Sequence, residues 1–356
     1  MDVVKSSNEN LNDIIPYDPK YLPANIVLSA NENTQDVSAL LRQEIAKRIK
    51  ATPMNRYPDP LCTQLRTMIA EANGLDEECV LVGNGGDELL FNIAHAWGGH
   101  GRNTIDLPPT FSVYSSNARI LGTNCIEIPR LDDFSINETA VLERVAQGGI
   151  DYIIIASPNN PTGLQASEGF LLNLLDSTDA LVVVDEAYFE FSHFSMRLHL
   201  ANHKNLVILR TFSKAFSLAG VRLGYIFAHP DVVRELIKVR QPYSVNAISQ
   251  AIGEEIFKNR AMFHKDIDIL VQGREYLFEE LRKLPGIIAY PSDANFILFN
   301  VEGASELWEQ LYAKGILIRN LSNTPYLKNC LRVSVGTQQE NEQFIKELKK
   351  IIFDRI

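Results

Sequence analysis

Hydrophobic positions along this chain occur in two patterns, short continuous runs and stripes at helical spacing. The continuous runs at 151–156 (DYIIIA), 180–184 (ALVVV) and 205–209 (NLVIL) are rich in Val, Ile and Leu. Such runs are typical of strands that are buried on both faces, as in a parallel sheet between helices. Shorter strand patterns at 79–82, 104–107 and 125–128 alternate with stretches of helical spacing. We therefore predict an α/β protein with a mostly parallel central sheet between helices.

The two ends of the chain show a different pattern. A predicted helix at 37–49 places five apolar residues on one face, namely Val37, Leu40, Leu41, Ile45 and Ile49. Beyond about Ser244, long helices (roughly 247–284) precede strand patterns in NFILFN, ILIRN and CLRVSV, and a last helix at 338–356. These features predict a smaller α+β domain formed by residues 1–49 and 246–356, beside a large domain at 50–245.

Composition and charge narrow the class of protein. The chain has 356 residues, 46% of them hydrophobic, and a formal net charge of −10. That balance argues against nucleic acid or an anionic membrane as the main partner, although a local basic pocket for a small anion is compatible with it. The 4 cysteines are scattered without a Cys-x-x-Cys pair, and the His199/His203 pair has no HExxH context, so no disulfide framework or metal site is predicted. We see no signal peptide and no membrane span, and we expect a cytoplasmic protein.

Polar residues are concentrated where the three buried strands end. DYIIIA is followed by SPNNPTG, ALVVV by DEAY, and NLVIL by RTFSK. The carboxyl ends of parallel strands meet at one edge of a sheet, which is where open α/β folds bind ligands. We therefore expect that edge to hold Asn160, Asp185, Tyr188, Ser213 and Lys214.

Each of these stretches also has a simpler interpretation. SPNNPTG is rich in turn-forming residues. DEAY resembles a Walker B element, but the chain has no GxxxxGK[ST] motif; TFSK imitates Ser-x-x-Lys, but its companion motifs are missing. GNGGDE is not the dinucleotide fingerprint GxGxxG. Taken together and in this order, the stretches favour one shared binding site over unrelated structural features.

The residue types at the strand ends match the needs of pyridoxal 5'-phosphate. The cofactor needs a lysine that forms an imine with its aldehyde and a carboxylate beside its pyridine nitrogen. Lys214 can supply the first and Asp185 the second, while Asn160 and Tyr188 can hold the phenolic oxygen.

The cofactor's phosphate also has candidate partners. GNGGD lies at a predicted strand-to-helix turn, where backbone N–H groups and the helix dipole suit an anion. Arg222 adds a permanently charged, planar guanidinium, and Thr211 and Ser213 add hydroxyl groups.

With these motifs in place, the chain resembles the fold-type I pyridoxal-phosphate aminotransferases, and among them the histidinol-phosphate aminotransferase family. The motifs that carry the resemblance are NRYPDP, GNGGDELL, PPTFSVY, SPNNPTG, VVVDEAYFEF, RTFSKAFSLAGVRLGY, DANFIL and LRVSVGT. They occur in family order from Asn55 to Thr337, over nearly the whole chain.

The resemblance implies a role for each matching residue. Lys214 would bind the cofactor and move protons as a general acid and base, with Asp185, Tyr188 and Asn160 around the ring. Phe111 would stack on the pyridine face, where the family usually has Tyr. The phosphate would be held by Gly85, Gly86, Thr211, Ser213 and Arg222. Tyr57 would reach the phosphate of a neighbouring subunit, so that each site requires a homodimer.

For the substrate, the resemblance implies that Arg332 binds the α-carboxylate of glutamate and that Arg319 lies near a distal phosphate. Tyr17, Tyr243 and Asn295 are weaker substrate candidates. The implied reaction converts L-histidinol phosphate and 2-oxoglutarate to imidazole acetol phosphate and L-glutamate, a step of histidine biosynthesis.

The sequence departs from the family pattern at two places. NENTQDV replaces the usual NENP-x-GPS stretch, which puts the exact amino donor in question, and Gly86 stands where many members have Ser or Ala. Three alternatives stay open at this point, which are a threonine-phosphate decarboxylase, an aromatic amino acid aminotransferase and a non-catalytic cofactor-sensing module. The last normally carries an added DNA-binding domain, for which this chain has no room.

Overall fold

The computed structural model describes residues 7–12, 14, 16 and 22–354. In chain order its strands are β1 (Ile26–Leu28), β2 (Val80–Gly83), β3 (Asn103–Asp106), β4 (Asn124–Glu127), β5 (Tyr152–Ala156), β6 (Leu181–Asp185), β7 (Leu206–Thr211), β8 (Gly224–Ala228), β9 (Ile287–Ala289), β10 (Phe296–Val301), β11 (Ile316–Asn320) and β12 (Cys330–Ser334).

The α-helices, also in chain order, are α1 (Ala39–Ala51), α2 (Thr63–Asn73), α3 (Gly85–Trp97), α4 (Val113–Ile120), α5 (Glu138–Ala146), α6 (Glu168–Asp176), α7 (Phe189–Ser192), α8 (Pro230–Val239), α9 (Ala247–Lys258), α10 (His264–Arg282), α11 (Ala304–Ala313) and α12 (Gln338–Asp354). No helix in the described part of the chain is long and apolar enough to cross a membrane.

A seven-stranded sheet forms the centre of the molecule, in the order β2-β8-β7-β6-β5-β3-β4. Strands β7, β6, β5, β3 and β4 pair in parallel, whereas β8 runs antiparallel to both of its neighbours. Every residue of β5, β6 and β7 is buried, as the continuous apolar runs predicted. The predicted α/β class with a mostly parallel central sheet is confirmed.

A second, five-stranded sheet has the order β1-β11-β12-β10-β9. Its only parallel pair among the described residues is β1 with β11, which joins a strand near the N-terminus to strands near the C-terminus. Segments that lie far apart in the chain therefore share this sheet, and it presents β11 and β12 toward the carboxyl ends of the large sheet.

The predicted helical face at 37–49 is wrong at one position. The helix begins at Ala39, and Leu41 is its buried residue, with Ile45 packed against the same core. Leu40 is 63% exposed, because successive helical residues are turned by about 100° and it falls off the stripe formed by positions four apart. The helices predicted at roughly 247–284 are confirmed as α9 and α10, which a 3₁₀ turn at Arg260–Phe263 separates.

Candidate active site

The carboxyl ends of the large sheet and one end of the small sheet enclose a cavity of about 420 Å³. Most of the residues predicted from sequence line it, namely Gly86, Phe111, Asn160, Asp185, Tyr188, Thr211, Ser213, Lys214, Arg222, Arg319 and Arg332. Arg319 lies on β11 and Arg332 on β12, while the others come from the large sheet, its helices and its loops. The two sheets thus enclose one cavity between them, into which charged side chains from both sheets project.

Lys214 lies in the turn that follows β7, with its side chain in this cavity. Its Nζ donates a hydrogen bond to the carbonyl of Ala30 at 3.1 Å. Desolvation by burial, and then the positive charge of Arg332, lower the pKa of Lys214 to about 8. A neutral, nucleophilic amine is therefore much more accessible near neutral pH than for an ordinary lysine.

Asp185 is the last residue of β6, and its carboxylate is 5% exposed. Its Oδ2 accepts a hydrogen bond from the Tyr114 hydroxyl at 2.7 Å, and its Oδ1 accepts one from the Ala187 amide at 3.0 Å. Burial raises the pKa of Asp185 to about 6, against the effect of these two hydrogen bonds. Such a carboxylate would be stabilised by a cationic ring nitrogen placed beside it.

A hydrogen-bond network connects the two sheets across the cavity. The Nδ2 of Asn31 donates to the Tyr188 hydroxyl at 2.9 Å, and the Ser334 hydroxyl donates to the Oδ1 of Asn31 at 3.0 Å. Arg332 donates to the Oδ1 of Asn160 and, at 2.8 Å, to the carbonyl of Ser29. With its oxygen engaged by Arg332, Asn160 presents its amide N–H groups as donors.

The turn between β2 and α3 has the shape of an anion cradle. Gly85 has φ +82°, and a Cβ there would lie 2.6 Å from Nη2 of Arg222. A Cβ at Gly224 would lie 2.8 Å from the backbone of Gly85 and Gly86. Glycine at these positions lets the Gly224 backbone and the Arg222 guanidinium approach the first turn of α3, where N–H groups lack helical partners.

Charged and hydroxyl groups complete this cradle. The Oγ1 of Thr211 lies 3.0 Å from Oγ of Ser213, and Nη2 of Arg222 lies 3.0 Å from Oδ2 of Asp87. A helix N-terminus, an arginine and two hydroxyl groups are the donor set that phosphate prefers. The residues present therefore fit the phosphate end of pyridoxal phosphate, as Lys214 and Asp185 fit its ring.

The two departures from the family pattern both lie close to this site. A Cβ at Gly86 would come within 3.3 Å of the Leu209 side chain, so a larger residue there would require Leu209 to shift. In NENTQDV, Asn33 donates to the carbonyl of Ala215 at 3.0 Å, and the Ser217 hydroxyl donates to the carbonyl of Gln35 at 2.7 Å. The altered segment thus packs on the loop that carries Lys214.

Several predicted residues lie outside the cavity. Tyr57 is 83% exposed and stacks on Tyr243, with ring centroids 4.6 Å apart. Asn295 is buried behind the cavity, where its Nδ2 donates to the carbonyl of Asn31 at 3.1 Å. Gly85 contributes to the cradle through its backbone, and Tyr17 lies outside the described residues.

Sequence reasoning missed Tyr114 and Asn31, which contact Asp185 and Tyr188. Tyr114 comes three residues after Phe111 in PPTFSVY, and its ring meets the Phe111 ring edge to face at 5.6 Å. Three residues is a spacing at which side chains share one side of a helix. That spacing is the signal that would have added Tyr114 to the candidates.

Comparisons with known proteins extend over nearly the whole chain. Residues 23–348 match the family model described as aminotransferase class I and II. Histidinol-phosphate aminotransferase 1 of Carboxydothermus hydrogenoformans is 40% identical over 338 residues, which cover 95% of this chain and 96% of that relative.

Two solved structures show the same fold. The histidinol-phosphate aminotransferase of Sinorhizobium meliloti in complex with pyridoxal-5'-phosphate has a TM-score of 0.90 at 21% identity, and the match covers 99% of this chain and 98% of that one. The L-threonine-O-3-phosphate decarboxylase of Porphyromonas gingivalis has a TM-score of 0.81 at 26% identity, over 92% of this chain and 99% of that one.

Proposed function

This chain belongs to the class I and II aminotransferase family, and from that premise we propose that it transfers an amino group between L-histidinol phosphate and 2-oxoglutarate. The products are imidazole acetol phosphate and L-glutamate, and the reaction is a step of histidine biosynthesis. The fold is that of the fold-type I enzymes, whose cofactor is pyridoxal 5'-phosphate. The observation that carries the proposal is the single cavity that combines Lys214, Asp185 and two arginines, Arg319 and Arg332.

Bound pyridoxal phosphate supplies an electron sink that allows the Cα–H bond of an attached amine to break. Lys214 would hold the cofactor through its aldehyde carbon. As a free amine, and with its pKa lowered to about 8, Lys214 can remove the proton from the substrate Cα and return one later. Asp185 would stabilise a positive charge at the ring nitrogen, and Tyr188 and Asn160 would donate hydrogen bonds to the phenolic oxygen.

Substrate recognition is assigned to the two arginines. Arg332 is 7% exposed, lies with its guanidinium 5.2 Å from the centre of the Phe296 ring, and is anchored by Asn160 and Ser29. A preorganised, planar guanidinium of this kind suits the α-carboxylate of glutamate. Arg319, from the neighbouring strand β11, suits the phosphate of histidinol phosphate. Tyr243 and Tyr17 keep weaker substrate roles in this proposal, whereas Asn295, buried behind the cavity, would act on the substrate only through Asn31.

The working unit is proposed to be a homodimer in the cytoplasm. Met54 and Tyr57 are 76% and 83% exposed close together on the loop before α2, a surface that a second copy of the chain could cover. A second copy of this chain that covered the loop would bring Tyr57 toward the phosphate of the other subunit. The four cysteines are free thiols in the structure, as suits a reducing compartment.

The division into domains follows the two sheets. The large domain at 50–245 would contain the seven-stranded sheet, and residues 1–49 with 246–356 would contain the five-stranded sheet. The cavity then lies at the junction of the domains, where a change in their relative position would open or close it.

The proposed function is tested by adding L-histidinol phosphate, without any keto acid, to protein loaded with pyridoxal phosphate. We expect the visible cofactor band to disappear, with one ketone and one pyridoxamine phosphate formed per site. Release of carbon dioxide and an amine from threonine phosphate would instead favour the decarboxylase, whose fold is the same. A band that responds only to aromatic amino acids would favour the aromatic aminotransferase.

The same experiment tests the cofactor and the non-enzymatic alternative. Protein that takes up pyridoxal phosphate but converts none of these amines would support a cofactor-sensing module. Protein that shows no visible band after incubation with pyridoxal phosphate would contradict the assignment of Lys214.

A further inference from the structure

Tyr114, on α4, is a buried residue to which the proposed reaction gives no role. Its side chain is 5% exposed, and its hydroxyl donates a hydrogen bond to Oδ2 of Asp185 at 2.7 Å. The two residues come from different elements 71 positions apart in the chain. The contact therefore depends on how α4 packs over the carboxyl end of β6.

The hydrogen bond leaves room for a third partner at Asp185. Tyr114 contacts one carboxylate oxygen and the Ala187 amide contacts the other. Each carboxylate oxygen can accept more than one hydrogen bond, so both can also face a ring N–H. Burial raises the pKa of Tyr114 well above its usual value of 10, and its hydroxyl therefore remains a donor throughout the neutral pH range.

Most groups around Asp185 oppose a negative charge there. Asp87 on α3 and the adjacent Glu186 both raise the pKa of Asp185 by repulsion, in addition to the effect of burial. Tyr188 and Asp106 also face the Tyr114 hydroxyl. The Tyr114 hydroxyl and the Ala187 amide are the groups that favour the charged carboxylate.

Tyr114 also contacts the residue assigned to the face of the cofactor ring. The Tyr114 and Phe111 rings meet edge to face, with centroids 5.6 Å apart and planes at 88°. Edge-to-face contact at this distance is a favourable arrangement of two aromatic rings. One side chain thus touches both the carboxylate assigned to the ring nitrogen and the aromatic residue assigned to the ring face.

We propose that Tyr114 is a positioning residue whose hydroxyl holds Asp185 as an oriented anion for the pyridine nitrogen of the bound cofactor. This inference rests on the proposed function, because it takes from it the role of Asp185. It adds to that function a residue that acts through Asp185 and does not itself touch the reacting atoms.

The test compares Tyr114→Phe with Tyr152→Phe. Both substitutions remove one hydroxyl from a buried tyrosine of the same hydrophobic cluster and keep the ring, but only Tyr114 contacts Asp185. For each protein, the dissociation constant of pyridoxal phosphate is measured by absorbance from pH 5 to 8. Comparison with the wild type cancels the titration of the cofactor itself.

In Tyr114→Phe we expect the affinity for pyridoxal phosphate at pH 7 to fall roughly tenfold, because the Asp185 anion has lost a hydrogen-bond donor. For the same reason, the pH below which affinity declines should rise by about one pH unit. Tyr152→Phe should follow the wild-type curve. If the Tyr114→Phe and wild-type curves superimpose, the inference is wrong and the proposed function stands. A wild-type protein that takes up no pyridoxal phosphate would overturn the proposed function and this inference with it.

A double-mutant cycle separates the hydroxyl's effect on Asp185 from a general effect on packing. In an Asp185→Asn background, Tyr114→Phe should cause no further loss of cofactor affinity, because the charge it supports is absent. An equal loss in both backgrounds would mean that Tyr114 acts on packing alone and would overturn the proposal.

Discussion

Two carboxylates follow one another at the end of β6 and lie in opposite surroundings. Glu186 faces away from the cavity and is fully buried, with its Oε2 2.9 Å from Nη2 of Arg210 and with further hydrogen bonds from Ser195 and the Met196 amide. Asp185 faces the cavity and has the Tyr114 hydroxyl and an amide as its donors.

The difference between them separates a structural charge from one available for chemistry. Glu186 is neutralised within the protein, and the Arg210 guanidinium also stacks on the Phe189 ring at 3.6 Å. Burial raises the pKa of both carboxyl groups, and that of Asp185, at about 6, is also raised by Asp87 and Glu186, so a cation beside Asp185 would stabilise its charge. Two carboxylates of comparable burial thus differ in their partners, since Glu186 forms an internal ion pair and Asp185 faces the cavity.

The largest expected effect on the cavity face is that of Lys214→Ala. Turnover should fall below ~0.1% of the wild-type rate, because the proposed covalent attachment and proton transfer both depend on this amine. Stability should change little, since the folded protein disfavours the charged form of Lys214. The measurements are kcat, the mass of the protein after borohydride reduction with cofactor, and a thermal melt.

The matched control is Lys238→Ala, which removes an exposed lysine on α8. It should keep wild-type turnover. A wild-type rate in Lys214→Ala would contradict the role proposed for Lys214.

Asp185→Asn and Glu186→Gln should show opposite effects. We expect Asp185→Asn to lower kcat by roughly 10²–10³-fold with little loss of stability, because it removes the charge proposed to act on the cofactor ring. Glu186→Gln should lower the free energy of unfolding by ~3–5 kcal/mol, because it removes the carboxylate whose oxygen lies 2.9 Å from the buried Arg210 guanidinium. Activity per folded molecule should remain within a few-fold of wild type.

These two variants are compared by denaturant unfolding and by kcat measured on the folded fraction. The double variant Glu186→Gln, Arg210→Met should recover part of the lost stability, because the unpaired charge is then also removed. If both single variants lose stability and activity together, the two faces of the sheet are not functionally distinct.

The pH dependence of cofactor uptake tests the charge state of Lys214 on the cavity face. Only the neutral amine of Lys214 can attack an aldehyde, so the rate of cofactor uptake should rise with pH. It should level off above about 8, the lowered pKa of Lys214, and well below 10.5, the pKa of an ordinary lysine. In Arg332→Met, which removes a neighbouring positive charge, the rate should level off at a higher pH. Stopped-flow absorbance measures both profiles.

A wild-type rate that keeps rising through pH 10 would contradict the lowered pKa of Lys214. Equal plateaus in the two proteins would exclude Arg332 as one of its causes.

The smallest expected effect concerns the exposed loop that carries Tyr57. Tyr57→Phe should weaken retention of pyridoxal phosphate by roughly 1 kcal/mol, the value of one hydrogen bond, if the hydroxyl reaches the partner subunit's phosphate. Folding should be unaffected, since Tyr57 is 83% exposed. Cofactor loss on dilution measures the effect, and Tyr326→Phe, at another exposed tyrosine, is the control.

Mixing subunits tests whether Tyr57 acts across a dimer interface. In a mixed dimer, the site with an intact Lys214 would receive its Tyr57 from the Lys214→Ala subunit. Mixing Tyr57→Phe with Lys214→Ala protein should therefore restore wild-type retention at those sites. Retention that stays at the Tyr57→Phe level would exclude a role across the interface.

Local sequence determined the elements and the main residues of the site. The apolar runs fixed β5, β6 and β7 as buried strands, because a strand covered on both faces needs apolar residues at every position. Strands of that kind end at one edge, which is why Asn160, Asp185 and Lys214 were predicted to lie together, as they do in the cavity. The hydrophobic pattern did not determine which face of α1 is buried, and Leu40 was predicted on the wrong face.

Tertiary structure alone decided the partners of those residues. Tyr114 meets Asp185 across 71 positions and Arg332 meets Asn160 across 172, through packing of elements that no local pattern relates. The same packing gave Asp185 and Glu186 opposite surroundings, because successive residues at a strand end point to opposite faces of a sheet. A pKa depends on burial and on neighbours within a few ångströms, so the charge state of the site is a property of the fold and is not written in any single motif.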